Sequence, residues 1–339
     1  MQGRARALMR LAVSFGVSGG LVAWLVWAIE WPAVWSALHT VHYGYLLPAT
    51  VVLVAHFLLR ALRWRYLLPP PIRSEDVGLR RLFDSILVGA FATFVLPLRA
   101  GEFVRPLLLA RTTTYSFGAA FASVVIERFF DLAMVLVCFG LMLRFVIGLP
   151  PWVEYGAGTL TVLAGGLSLF LVLGSLVPGK VRLVMGVCLR PLPRGLSEPL
   201  GRFVDGLLSA TAVLRSPWRL GAIMGLTVLV WVSSFAVSGI CLWLFDIPAS
   251  VPFVVAIGVI IALAVAAPSA PGFIGVFQTA CVAAFALFGF SREEAIAYSL
   301  IAHAHQFVIF VGYGVWLMFK YNLSLADLRR APPSEPVTK

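Results

Sequence analysis

Six apolar runs, each long enough to cross a bilayer, leave this chain almost no way to fold in water. They fall at Leu8–Ile29, Tyr45–Leu67, Phe117–Ile147, Tyr155–Val177, Leu220–Phe245 and Ala295–Phe319. A spanning helix needs about 20 mostly apolar residues, because the hydrocarbon core is about 30 Å thick and a helix rises about 1.5 Å per residue. Inside lipid every backbone polar group needs a partner within the protein, so the expected fold class is all-α, a polytopic integral membrane protein. Composition agrees: 60% of the 339 residues are hydrophobic, and mean hydropathy is +0.96. A single membrane domain over residues 1–330 and a short tail at 331–339 account for the chain. The longest polar stretch, 178–219, is broken by Pro191, Pro193 and Pro199 and leaves no room for a sizeable soluble domain.

Two further apolar runs are short and interrupted. Leu82–Leu98 runs into Pro97-Leu98-Arg99-Ala100-Gly101. Val251–Ala267 ends in Pro268-Ser269-Ala270-Pro271-Gly272, after which Phe273–Phe290 resumes the hydrophobic pattern.

The net charge of +11 is spread through the gaps between apolar runs rather than over one soluble face, which excludes nucleic-acid binding and reads as topology. Arg4 and Arg6 precede the first run and Arg10 lies at its start; the run is too long for a signal-peptide core and reads as a retained span. Residues 60–81, 178–219 and the C-terminal tail are rich in Arg and Lys. The alternate loops, near 30–44, 148–154, 246–250 and 290–294, hold only Arg292. The expectation is a multi-pass protein of the cytoplasmic membrane with both termini cytoplasmic. Parity then makes the interrupted runs re-entrant hairpins, the first entering from the cytoplasm and the second from outside. Six full spans plus two hairpins of opposite sense point to an inverted repeat, an arrangement that places a substrate site near the midplane.

With 12% of residues charged, those that fall within apolar segments are informative. Arg99, Glu102 and Arg105 flank the first break. Pro97 removes a helix donor there and Gly101 permits a tight return. Arg99 and Arg105 suit a phosphate, whereas Glu102 and Arg105 are spaced to pair with each other. Glu127, Arg128 and Asp131 lie deeper, with Glu127 about 15 Å into its helix. Arg128 can reach Asp131, and Glu127 needs a partner, for which Arg99 and Arg105 are available. A structural salt-bridge network and a substrate-binding site both account for these residues.

The second break, with Pro268, Ser269, Pro271, Gly272 and Gly275, carries no charge and is followed by Gln278. Arg60, Arg63 and Arg65 end the second run beside Trp64 and Tyr66, a pattern that anchors a helix to anionic headgroups. Arg63 is also placed to gate the first hairpin. His303 and His305 face opposite sides of the last helix and make no metal pair. The isolated Cys138, Cys188, Cys241 and Cys281 form no C-x-x-C motif, so neither a metal site nor a disulfide framework is expected. No serine triad, nucleotide loop or metalloprotease motif is visible, and no cofactor is expected.

Taken together these residues resemble a flippase-like family related to the transmembrane domain of lysylphosphatidylglycerol synthases. The resemblance rests on Arg60 through Leu68, on Gly89 through Glu102 with Arg105, on Ser123 through Asp131, and on Pro268 through Gly275. The chain departs from the family pattern at Thr93, where Asn is usual, and at Gln278, where Glu is usual. The resemblance implies a transporter that moves a phospholipid or lipid-linked sugar between leaflets, with no lysyl-transfer domain. The alternatives are an embedded enzyme that modifies a lipid headgroup, using Glu127 or Asp131 as acid or base, and a non-transporting partner of a lipid or glycan synthase. The expected partners are the lipid substrate, the anionic phospholipid surface, and a synthase or a second copy of the chain.

Overall fold

The computed structural model describes residues 30–68, 77–96, 101–143, 176–189, 215–266 and 270–320, with scattered positions at 27 and between 145 and 211. Among the described residues the secondary structure is helical, without strands. The helices are α1 (Trp31–His39), α2 (Leu46–Leu67), α3 (Leu79–Val95), α4 (Gly101–Thr112), α5 (Phe117–Met142), α6 (Pro178–Leu189), α7 (Pro217–Trp243), α8 (Val251–Ala266), α9 (Val276–Ala286) and α10 (Arg292–Lys320). Single 3-10 turns, Tyr43–Tyr45 and Pro271–Phe273, precede α2 and α9. The runs Leu8–Ile29 and Tyr155–Val177, apart from isolated positions, lie outside the described residues, as does the tail at 331–339.

Local chemistry sets several boundaries. Ser116 caps α5, its hydroxyl accepting from the Ala119 amide at 3.2 Å. Pro217 opens α7 at its first turn, where a missing amide donor costs nothing. Leu68 and Leu96, which end α2 and α3, both precede a proline and both take extended backbone, ψ 135° and 145°. Clash with the following proline ring disfavours helical ψ at such positions.

Among the described residues, three helices are long and apolar enough to cross a membrane: Tyr43–Leu67, Pro217–Trp243 and Arg292–Lys320. With 26 residues α5 matches them in length but carries Glu127, Arg128 and Asp131 near its middle. The remaining core helices are shorter, at 17, 12, 16 and 11 residues for α3, α4, α8 and α9. The longest of these rises only about 26 Å, less than the hydrocarbon thickness.

Ring and side-chain contacts give the directions. Tyr45 meets Trp243 at one end of the bundle and Tyr66 meets Trp218 at the other, so α2 and α7 are antiparallel. Thr50 bonds His305 and Phe57 packs on Phe310, which sets α10 parallel to α2. Asp84, near the start of α3, accepts from Tyr313 and Lys320 late in α10. Arg81 donates to the Thr112 carbonyl, folding α4 back along α3. At the far end Phe253 of α8 packs against Phe285 of α9.

The short helices thus form two antiparallel pairs rooted at opposite ends of the bundle. The α3/α4 pair is rooted where Arg65, Arg81, Arg111, Arg219 and Lys320 gather, and the α8/α9 pair where His42 and Asp246 pair at 2.9 Å. Their tips meet in the interior, where a Cβ on Gly272 would lie 3.4 Å from the Phe94 ring. His303 stands at this junction, its ring centroid 5.6 Å from Phe94 and 4.8 Å from Phe277.

Two details differ from the sequence reading. Residues 30–44, expected as a loop, contain α1, whose Val34 is buried against Ile296 and Ala297 of α10. Gly101, read as permitting a tight return, is the first residue of α4, and its need for glycine comes from packing. A Cβ there would overlap the Gly89 carbonyl and the Thr93 hydroxyl, so α3 and α4 cross at glycine-to-backbone distance. Among the described residues the glycines with positive φ are Gly272 and Gly275 in the second break, at 67° and 85°, and Gly289 after α9, at 79°.

Candidate functional site: a buried charge cluster

The polar centre of the molecule is built on α2, α4, α5 and α7. On α2, Arg60, Arg63 and Trp64 share a face at helical spacing, and antiparallel α5 presents Ser123, Glu127 and Asp131 opposite them. Trp64 Nε1 donates to Ser123 Oγ at 2.8 Å, fixing the ring. The Arg105 guanidinium lies 4.6 Å above that ring, a cation–π contact that orients it toward α5.

Glu127 is fully buried and is the hub. Arg105 grips it in two places, Nη2 to Oε2 at 2.8 Å and Nη1 to Oε1 at 3.2 Å. Arg60, Arg63 and Arg128 each donate to Oε1 as well, at 3.2, 3.1 and 2.9 Å. Asp131 takes a second set, from Arg63 at 2.6 Å and Arg128 at 3.2 Å. Arg63 also donates to Thr227 Oγ1 on α7, which ties the cluster to a fourth helix. Glu102 reaches Arg128 at 3.7 Å. Buried charges of this kind persist only when paired, and each member of this set has a partner of opposite sign, although the Nε atoms of the four arginines make no hydrogen bond among the described residues.

The balance is uneven. Arg60, Arg63, Arg105 and Arg128 face Glu102, Glu127 and Asp131, so the described cluster carries one excess positive charge. Exposure is uneven too. The side chains of Arg63 and Arg105 are 0% and 4% exposed, those of Arg60 and Arg128 20% and 42%. The two more open arginines line a cavity of about 140 Å³ with His56, Asp131, Val230, Trp231 and Ser234. His56 Nδ1 lies 3.0 Å from both the Val230 carbonyl and Ser233 Oγ.

Against the sequence expectations, Arg105 and Glu127 pair as anticipated, as do Arg128 and Asp131. Glu102 does not pair with Arg105, whose guanidinium is committed to Glu127; it turns to Arg128 instead. Arg63 is no headgroup anchor, because it is wholly buried in the cluster. Arg60, also read as an anchor, belongs to the same cluster. Its depth was the available signal, since seven residues from the end of α2 is about 10 Å, far for an interfacial side chain. His56, Thr227 and Trp231 carried no distinguishing pattern in the sequence. Pro97, Arg99, Pro268 and Ser269 lie outside the described residues.

At the second break, Gln278 caps α9 by accepting from the Gly275 amide at 2.8 Å, and its Nε2 donates to His303 Nδ1 at 3.1 Å. A carboxylate could make the first bond but has no proton for the second, which accounts for an amide at this position in this chain. His305 lies on the opposite face, its Nε2 2.8 Å from Thr50 Oγ1. Among the described residues no group of three or more His, Cys, Asp or Glu side chains is placed to hold a metal ion.

A helical bundle with three clear apolar spans among the described residues and a paired charge cluster between its helices defines a polytopic membrane protein. Residues 10–314 match the family described as the lysylphosphatidylglycerol synthase TM region, and the chain belongs to that family. Neither the curated proteins nor the solved structures contain a match to it.

Proposed function

We propose that this protein moves a phospholipid or lipid-linked sugar between the leaflets of the cytoplasmic membrane. The observation that carries this reading is the cavity beside the charge cluster. It combines two partly open arginines, an acidic residue and a histidine at a depth where charge is costly without a purpose. Family membership supports the link to membrane lipid. In this reading the α3/α4 and α8/α9 pairs are re-entrant hairpins that turn inside the membrane, related as inverted repeats, and both chain termini are cytoplasmic. Tips meeting from opposite ends of the bundle are what such an arrangement requires. The headgroup occupies the polar cavity while the chains remain in lipid.

Arg128 gives the cleanest test, because its partial exposure separates ligand contact from structural support. Arg128→Ala and Arg60→Ala, purified and reconstituted in proteoliposomes, are expected to fold and to lose leaflet exchange of a headgroup-labelled lipid. Exchange at the wild-type rate in both variants would overturn the proposal. A change in lipid mass during the assay would point instead to a headgroup-modifying enzyme.

A further inference from the structure

The cavity beside the charge cluster has a neighbour. A second cavity of about 210 Å³ lies between α7, α8, α9 and α10, and Trp231 and Ser234 line both. From Ser234 the second cavity follows α7 past Ser238 to Cys241, toward the end of the bundle where His42 and Asp246 pair. That stretch of helix rises about 10 Å, roughly a third of the hydrocarbon thickness.

Polar groups on the walls of both cavities lack protein partners. His56 Nδ1 lies 3.0 Å from the Val230 carbonyl, which only accepts, so Nδ1 carries the ring proton and Nε2 a lone pair. Nε2 makes no hydrogen bond among the described residues, and neither does the Ser234 hydroxyl or the Gln306 side-chain amide. Unlike the nitrogens of Trp231 and the cluster arginines that are sealed in without partners, these three groups keep accessible surface. His56 lines the first cavity, Gln306 the second and Ser234 both. Gln306 stands at the midpoint of the 29-residue α10, a depth at which lipid offers an amide nothing to bond.

Hydrocarbon in this space would leave all three groups unsatisfied, at a cost that buried polar groups seldom bear. Water answers each of them, because it donates to the His56 lone pair and both donates to and accepts from Ser234 and Gln306. A buried water typically makes about three hydrogen bonds and takes roughly 30 Å³ of space. The first cavity supplies His56, Arg128 and Asp131 as partners, and the second Ser234, Ser238 and Gln306. Each cavity has room for several waters at that volume.

We propose that the two cavities are one water-filled passage that hydrates the charge cluster from the α7–α10 side, with Ser234 at the junction and Trp231 as the partition beside it. The passage gives Arg128 and Asp131 contact with water at a depth where an isolated charge is costly. It is independent of lipid movement, since the waters are held by these side chains whether or not a headgroup enters.

Hydroxyl-radical footprinting by X-ray radiolysis of the full-length protein in a neutral detergent provides the test. Radicals formed from water oxidise the side chains beside it, and mass spectrometry reads the sites. The chain supplies matched pairs of buried residues: Cys241 and Phe277 line the second cavity, whereas Cys281 and Phe285 are buried away from it. Cys241 and Phe277 are expected to oxidise severalfold faster than Cys281 and Phe285, and His56 to be oxidised in the first cavity. Ser238→Leu fills the second cavity and should remove most of the His56 oxidation; Ala302→Leu serves the same purpose if Ser238→Leu fails to fold.

Equal oxidation within each matched pair would mean a dry second cavity and overturn the passage, without need of any variant. An unoxidised His56 in the wild-type protein would overturn the hydration of the cluster. Undiminished His56 oxidation in a folded filling variant would show that the first cavity takes its water from elsewhere, and would overturn the connection. Loss of leaflet exchange leaves the passage standing, and a dry second cavity leaves the transport reading standing.

Discussion

Arg105 and Glu127 face each other as a two-point pair at 2.8 and 3.2 Å, the carboxylate fully buried and the guanidinium seated on the Trp64 ring. Through this pair α4 is joined to α5, and because Glu127 also holds Arg60 and Arg63, both are joined to α2. Glu127→Ala leaves four arginines around a vacated acceptor. Breaking a buried pair from one side typically costs about 3–5 kcal/mol. Unfolding in detergent should show a loss of that order. Arg105→Ala should cost a similar amount, and the double variant clearly less than the two added together, because the groups share one interaction. Additive losses would mean that the two do not act as a unit.

The arginines of the cluster divide by exposure, and variants should divide with them. Arg63 is fully buried and bonds Glu127, Asp131 and Thr227, so Arg63→Ala removes interactions with three partners from a dry site. It should lower stability by about 3 kcal/mol or more. Arg128, with a side chain 42% exposed, should lose much less than Arg63 in the same measurement. A comparison of unfolding midpoints across the two variants reads the difference, and equal midpoints would refute it.

Gly101 supports the crossing of α3 and α4 in a different way. With its Cα beside the Gly89 carbonyl and the Thr93 hydroxyl, there is no room for a methyl group. Gly101→Ala should therefore cost about 1–3 kcal/mol through backbone displacement, despite the better helix propensity of alanine. Gly118, early in α5 with open space around it, is the matched control. There alanine should be neutral or stabilising by up to about 1 kcal/mol. Thermal unfolding of the two variants side by side decides the point.

Much of this architecture was legible because hydrophobic run length translates directly into helix length in lipid. The limits of α2, α7 and α10 agree with the apolar runs to within a few residues. The pairing of Arg105 with Glu127 was legible too, since a carboxylate placed so deep must find a cation. What could not be read was competition among cations. Local spacing offered Glu102 to Arg105, but the pairing was decided by the next helix, where Glu127 was the better-buried acceptor. Arg60 and Arg63 misled for a related reason, since a basic residue near a span's end looks interfacial until its neighbours are known. The role of Gly101 was hidden because close backbone approach leaves no periodic signature.

Gln278 gives the last prediction. Its amide joins the start of α9 to α10 by accepting from the Gly275 amide and donating to His303 Nδ1, at the point where the tips of the two helix pairs meet. Gln278→Leu removes both bonds and leaves a buried N–H unsatisfied, which should cost about 1–3 kcal/mol. Gln278→Glu preserves the acceptor for Gly275 but takes away the donor for a neutral His303, so its cost should lie between those of wild type and leucine. His303→Phe keeps an aromatic ring between Phe94 and Phe277 while removing the acceptor. In that background glutamine and glutamate should become closer in stability, because the distinction between them rests on His303. Unfolding free energies for wild type, the two single variants Gln278→Glu and His303→Phe, and their double variant measure this coupling directly. A difference between glutamine and glutamate that persists unchanged in the His303→Phe background would show that His303 is not the reason for an amide here.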